Sequence, residues 1–253
     1  MKIGLLCNFY GFPHYLDDVI KEWLAFKSDE DSLVVAINSC KYEIYNQIGF
    51  NDEDTETLAK LQNQYSNFYQ FLNYGEKQND ATARNKALKF LLEQDCDYIW
   101  LLDGDEIYSA TDIANVVSFV KKDPYCAWFR VNFKNYVNDQ SHWISGFCPP
   151  RVFRVNYSGN LIDRFYYEND LIYKNAQGEM DYKSLSSREI PNSLAFIKHY
   201  SWCGTPEFLQ RKIQYQNLHY GGICSYKFQD GQLVFNDEYY SKLNLPKPEI
   251  YNE

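Results

Sequence analysis

The chain has no long apolar run: nowhere in its 253 residues does an uncharged hydrophobic stretch approach the roughly 20 residues of a membrane-spanning helix. It lacks an excess of basic charge. With 25 Lys and Arg against 34 Asp and Glu, the formal net charge is −9 and the pI about 5.0. That balance excludes a duplex nucleic-acid binder, which needs a basic footprint, and argues against attachment to anionic lipid by charge alone. The seven cysteines, at 7, 40, 96, 126, 148, 203 and 224, contain no Cys-x-x-Cys pair. Their odd number and scatter fit free thiols in a reducing compartment rather than a disulfide framework. The apolar part of Met1 to Asn8 is too short for a signal peptide, so the expected setting is cytoplasmic. No internal repeat, low-complexity tract or linker is present.

What is there is the ordinary balance of a globular chain, 45% hydrophobic and 23% charged, long enough to bury a substantial core. Aromatics are abundant at 18%. Lys2 to Asn8 and Ser32 to Asn38 are apolar on both faces, as strands of a covered parallel sheet are. Leu16, Val19, Ile20, Trp23 and Leu24 recur at helical spacing within His14 to Phe26. The pattern predicts further helices over Thr55 to Phe71 and Ala81 to Gln94, then a strand over Tyr98 to Leu102. Ser109-x-x-Asp112 has capping-box spacing ahead of another helix, which Lys121-Lys122-Asp123-Pro124 stops. Alternation of strand and helix predicts an α/β fold with a mainly parallel sheet. The second half reads differently. Strands over 127–133, 151–155 and 194–202 are separated by long polar loops, Thr205-Pro206-Glu207 starts a helix, and the tail from Pro246 wraps the surface or frays.

The decisive feature is Asp103-Gly104-Asp105-Glu106 at the end of the apolar run Tyr98-Ile99-Trp100-Leu101-Leu102. Carboxylates two residues apart on extended backbone share a face, and Gly104 lets the chain turn and a ligand approach closely. Acidic oxygens at the C-terminal lip of a buried strand suit a divalent cation carrying a phosphate-bearing ligand, the competing reading being a solvated acidic turn. Ligands of open parallel sheets bind beyond the carboxyl ends of the strands, so the segments starting at Asn8, Asn38 and Asp103 should meet there. Arg84 follows the polar loop Gly75 to Asp80 at a helix start, where it can meet a diphosphate or a carboxylate, or pair with a neighbouring acid such as Asp103.

Ala83-Arg84-Asn85-x-Ala87, a helix, and then Tyr98 to Glu106 resemble glycosyltransferase family 2, many of whose members carry an A-R-N helix start and an L-D-x-D-E metal motif. Pro150 to Arg154, Ile197-Lys198-His199-Tyr200 and a following helix with Lys212 are also similar. The match is specific over residues 75–110, looser over 1–40 and 150–215, and absent beyond. The resemblance implies a single A-type glycosyltransferase domain over 1–253, with a Rossmann-like, mainly parallel sheet flanked by helices. Residues 1–125 would bind the nucleotide-sugar, 126–225 would serve the acceptor, and 226–253 would form a tail. It implies a nucleotide-sugar donor, usually a UDP-sugar, a glycan or other hydroxyl acceptor, and Mn²⁺ or Mg²⁺. Asp105 would bind the metal, Asp103 the ribose or a metal-bound water, and Asn8, Asn38 and Arg84 would line the nucleotide.

His199 is either a satisfied rim residue or a third ligand. The acidic cluster alone offers too few oxygens for an octahedral ion, and family members often place a late-strand histidine on the metal. Two departures stand out: Ala36-Ile37-Asn38-Ser39 lacks the acid the family commonly offers the nucleotide, and no E-D pair marks the base. Asp163, Glu168 and Asp170 are the candidates to deprotonate the acceptor, with Asp163 favoured. The rivals are a sugar nucleotidyltransferase, which would want a Gly-rich basic loop where Leu5 to Pro13 has one Gly and no Lys or Arg, and an inactive sugar- or nucleotide-binding protein of the same fold.

Overall fold

The computed structural model describes residues 1–9, 15–26, 32–39, 53–65, 70–72, 80–166, 170–219 and 222–252. Tyr10, Cys40, Gly75 to Asn79 and Glu168, each expected near the ligand, lie outside them. The first half runs β1 (Lys2–Phe9), α1 (Leu16–Phe26), β2 (Ser32–Ser39), α2 (Glu53–Tyr65), β3 (Gln70–Leu72), α3 (Asp80–Glu93), β4 (Tyr98–Asp103), β5 (Glu106–Ile107) and α4 (Ala110–Lys121). The second half begins β6 (Trp128–Arg130), β7 (Phe133–Asn138), β8 (His142–Ile144) and β9 (Pro150–Arg154). A meander follows, β10 (Asn156–Tyr157), β11 (Asn160–Tyr166), β12 (Asp170–Asn175) and β13 (Gly178–Asp181). Then come β14 (Ser187–Glu189), β15 (Ile197–Cys203), α5 (Pro206–His219), β16 (Tyr226–Gln229), β17 (Gln232–Phe235), α6 (Asp237–Lys242) and β18 (Tyr251–Asn252).

The main sheet has seven strands in the order β14-β6-β9-β4-β1-β2-β3. β3, β2, β1 and β4 are mutually parallel, and β9 runs antiparallel between β4 and β6. Alternation along β1 and β4 divides the core into two layers. Ile3, Leu5, Cys7, Trp100 and Leu102 face α1 and α4, where Trp23, Trp100 and Tyr108 meet edge to face; Leu6, Ile99 and Leu101 face α3 and the meander. Cys7 and Cys96 are buried among these apolar side chains, as small hydrophobes are. The capping box forms as its spacing predicts: Ser109 Oγ accepts from Asp112 N, and the Asp112 carboxylate accepts from Ser109 N.

Two expectations change. The helix over Thr55 to Phe71 ends at Tyr65, and Gln70–Leu72 instead joins the sheet edge beside β2, because an open strand edge outbids a weak Asn/Gln-rich helix. The polar stretch after Val155 is an antiparallel meander whose alternating burial, Ile162 and Phe165 inward, caps α3. The tail takes the first of its two expected courses and wraps the surface, where β18 pairs with β8 and Tyr251 stacks on Trp143 at 4.8 Å. Among the described residues no helix is long and apolar enough to cross a membrane.

The second sheet, β18-β8-β7-β15-β5, sets up the site. β5 follows β4 after two residues, so the acidic turn is where the chain crosses from one sheet to the other. β15 pairs with β5 on one side, with His199 opposite Glu106, and with β7 on the other, with His199 opposite Asn135.

Candidate functional site

At the carboxyl end of the main sheet Asn38, Asn8 and Asp103 stand in one register row across β2, β1 and β4. Paired residues on neighbouring strands lie about 4.8 Å apart, so the backbone sets these three positions side by side, while the segments that follow Phe9 and Ser39 lie outside the described residues. Asn8 is fully buried, and its carbonyl accepts from Gly104 N at 2.9 Å, which pins the turn to β1. Gly104 is required for close approach: a Cβ there would sit 2.5 Å from Phe9 Cβ. The neighbour that crowds it is thus the protein's own β1.

A chain of alternating charge runs through the turn. Arg84, on α3 and 4% exposed, donates to Asp103 Oδ1 at 2.7 Å; of the two readings of Arg84, this is the pairing with a neighbouring acid. Arg151, on β9, lies 3.7 Å from the other Asp103 oxygen and grips both oxygens of Glu106, through Nε at 2.9 Å and through Nη2. Burial alone would raise Asp103, but Arg84 and then Arg151 outweigh it and hold the carboxyl below its ordinary range. Glu106 has no exposed surface; burial pushes its carboxyl up, Asp103 adds to the push, and Arg151 opposes it.

Asp105 points the other way, toward β15. Its carbonyl accepts from Tyr200 N at 2.9 Å, and its Oδ1 lies 3.8 Å from His199 Nε2. On the far edge of the ring, Nδ1 meets Asn135 Oδ1 at 2.6 Å. An amide oxygen only accepts, so Nδ1 carries the proton and Nε2 the lone pair. Burial lowers the imidazole to about 4, against the opposing pull of Asp105, so it is neutral at physiological pH. Two acceptors therefore face each other with no proton between them. Behind them, Lys212 on α5 donates to the Ser201 carbonyl at 2.5 Å and to its hydroxyl; burial lowers this ammonium while Asp105 and Asp103 oppose the shift. Among the described residues no group of three or more His, Cys, Asp and Glu is disposed to hold a metal. Asp103 is turned onto the arginines, and Asp105 with His199 forms the facing pair.

Asp163 lies on β11 in the meander, its carboxylate taken by Arg164 Nη1 at 2.6 Å, and Asp170 pairs with Lys183 at 2.8 Å. Neither is joined to the acidic turn by a hydrogen bond or ion pair among the described residues. β11 is nonetheless tied to the helix of Arg84: Asn85 donates to the Phe165 carbonyl at 3.0 Å. Sequence reasoning counted Glu106 only within the acidic cluster and Arg151 only within the Pro150 to Arg154 stretch, and it did not reach Asn135. Glu106 was visible as the third acid of the motif, whereas Asn135 carries no local signal at all.

The model of glycosyl transferase family 2 matches residues 25–193. No curated protein sequence matches the chain. Among solved structures, S. aureus TarS 1–349 in complex with UDP-GlcNAc superposes with a TM-score of 0.50 at 11% identity, over 86% of this chain and 66% of that one. S. aureus TarS gives 0.48 at 11%, over 87% and 39%. The mannosyltransferase PcManGT from Pyrobaculum calidifontis in complex with GDP-Man and Mn²⁺ gives 0.48 at 9%, over 77% and 56%. The chain spans two thirds or less of the length of these proteins. Its fold is the A-type glycosyltransferase fold that the resemblance implied. With the family model covering well over half of its sequence, the chain belongs to glycosyl transferase family 2.

Proposed function

We propose that the protein transfers a sugar from a UDP-sugar to an acceptor hydroxyl with the help of a divalent cation held by Asp105 and His199. The observation that carries this reading is the facing pair of lone-pair atoms, Asp105 Oδ1 and His199 Nε2, 3.8 Å apart. Bonds of roughly 2.0–2.2 Å put adjacent ligands of an octahedral ion about 3 Å apart, so binding would draw the pair together by a little under 1 Å, and a mixed oxygen and nitrogen set favours Mn²⁺ over Mg²⁺. Bound there, the cation would offset the negative charge that builds on the departing diphosphate. The protein's own groups have distinct parts. Asn38, Asn8 and Asp103 are the positions proposed to serve the nucleotide, Arg84 and Arg151 keep Asp103 ionised, and Lys212 adds positive charge behind Asp105.

Asp163 is the acid proposed to take the acceptor's proton, on a strand anchored beside Arg84 through Asn85. The TarS superposition with UDP-GlcNAc supports a UDP-sugar donor, and the six cysteines among the described residues, all free thiols, suit a cytoplasmic setting. Titration calorimetry of UDP with and without Mn²⁺ tests the reading. Affinity is expected to depend on Mn²⁺ and to fall at least tenfold in Asp105→Asn, which keeps the volume and removes the charge. Unchanged Mn²⁺-dependent affinity in that variant would overturn it. GDP or CMP raising the melting temperature where UDP does not would overturn the donor assignment.

A further inference from the structure

A cavity of about 420 Å³ opens on the five-stranded sheet, between the end of β7, the start of β8, the β16–β17 hairpin and Ile250. This size falls within the range of small-ligand sites. Its floor is apolar: Val137 and Leu233 are buried, and the rings of Tyr226 and Phe235 stack 5.6 Å apart at 26°. Its rim is polar. Asp139 accepts from Ser141 N at 2.7 Å and His142 N at 3.0 Å, and both its oxygens meet His142 Nδ1, at 2.9 and 2.8 Å. The carboxylate is thereby fixed, and the imidazole keeps Nε2 on its opposite edge. Gln232, at the hairpin tip, is exposed.

The hairpin that walls the cavity is clasped to the end of β7. Asn138, in the left-handed region at φ 68, clasps the hairpin by donating to the Leu233 carbonyl at 3.1 Å and accepting from Leu233 N at 2.7 Å. A non-glycine residue held there by two hydrogen bonds marks a built feature rather than a relaxed turn.

The lining selects against the donor. Among the described residues it contains no Lys or Arg, so a diphosphate would find no counter-charge there and would face Asp139. A neutral ring with one apolar face and a hydroxylated edge fits both floor and rim. Position supplies the rest. Val137 lies two residues beyond Asn135 on the same face of β7, about 7 Å along the strand, and Asn135 holds His199. We infer that this cavity binds a pyranose unit of the acceptor glycan, next to the donor site. The inference rests on the proposed sugar transfer.

The test uses the full chain, labelled for amide NMR, titrated with methyl hexopyranosides and their disaccharides at millimolar concentration. The expected result is shifts at Asn138, Asp139, His142 and Leu233 for at least one saccharide. Gln232→Trp, which fills the mouth without removing a buried contact, should weaken that binding at least tenfold, as should Asp139→Asn. Mn²⁺-dependent hydrolysis of UDP-GlcNAc should be unchanged in both variants. The inference is overturned if no saccharide moves those amides, if Gln232→Trp responds like the wild type, or if the shifts are confined to Asp105 and His199. Lack of UDP-GlcNAc hydrolysis in the wild type would count against the proposed activity alone, because the saccharide titration reads the cavity by itself.

Discussion

Replacing Arg151 by alanine tests the buried charge chain directly. Glu106 has no exposed surface, and Arg151 supplies its two side-chain hydrogen bonds. Removing one partner of such a pair leaves an uncompensated buried group, at a cost of about 3–5 kcal/mol. With an unfolding entropy of roughly 2.1 cal/mol/K per residue, a chain of this length loses about 6–9 °C of melting temperature. The lost guanidinium also packs on Phe133, 5.1 Å from the ring centroid, which adds to the loss.

The deficit depends on pH, and its sign follows from linkage. Burial already raises the Glu106 carboxyl above its ordinary 4.5, and deleting the opposing cation raises it further. Both folded proteins then bind a proton that the unfolded chain releases above 4.5. The variant, however, holds it beyond the value of about 8 at which the wild type lets it go, so the deficit grows as pH rises through about 8 and is smaller below it. Differential scanning calorimetry at pH 5.5 and 8.5 should show the larger deficit, relative to wild type, at pH 8.5. The double variant Arg151→Met with Glu106→Leu, which removes both charges, should regain much of the loss. A deficit below about 2 °C at pH 8.5, or an equal one at both pH values, would refute the reasoning.

His199→Ala should abolish a preference for Mn²⁺ over Mg²⁺ in donor hydrolysis while leaving the melting temperature of the metal-free protein within a few degrees; an unaltered preference removes His199 from the cation site. Gly104→Ala forces a Cβ to within 2.5 Å of Phe9 Cβ, so it should cost about 1–3 kcal/mol in urea unfolding and displace Asp105. Wild-type stability together with wild-type hydrolysis would show that the turn yields freely. Asp163→Asn should reduce transfer to acceptor at least a hundredfold while sparing donor hydrolysis, and equal transfer rates would return Asp163 to its surface pairing with Arg164.

Local signals in the sequence determined the elements whose evidence is itself local. The apolar runs of β1, β2 and β4, the helical stripe of α1 and the Ser109/Asp112 capping box all follow from periodicity and spacing within a few residues, and so does the acidic turn at the end of β4. Strand order and register then carried Asn8, Asn38 and Asp103 into one row, as a parallel sheet requires. Pairing between distant segments was decided only by the tertiary structure. Gln70–Leu72 became a strand because β2 offered an edge, and the polar stretch after Val155 became a meander because α3 needed covering. The partners of the acids were likewise decided in three dimensions. Asp103 and Asp105 look equivalent in the motif, yet one is turned onto Arg84 and Arg151 and the other onto His199. That difference arises because β15, more than ninety residues later, pairs with β5, and because Asn135 on β7 sets the tautomer of the imidazole. Hydrogen-bond partners brought together by sheet pairing across such separations leave no periodic trace in the chain, so only the folded sheet reveals them.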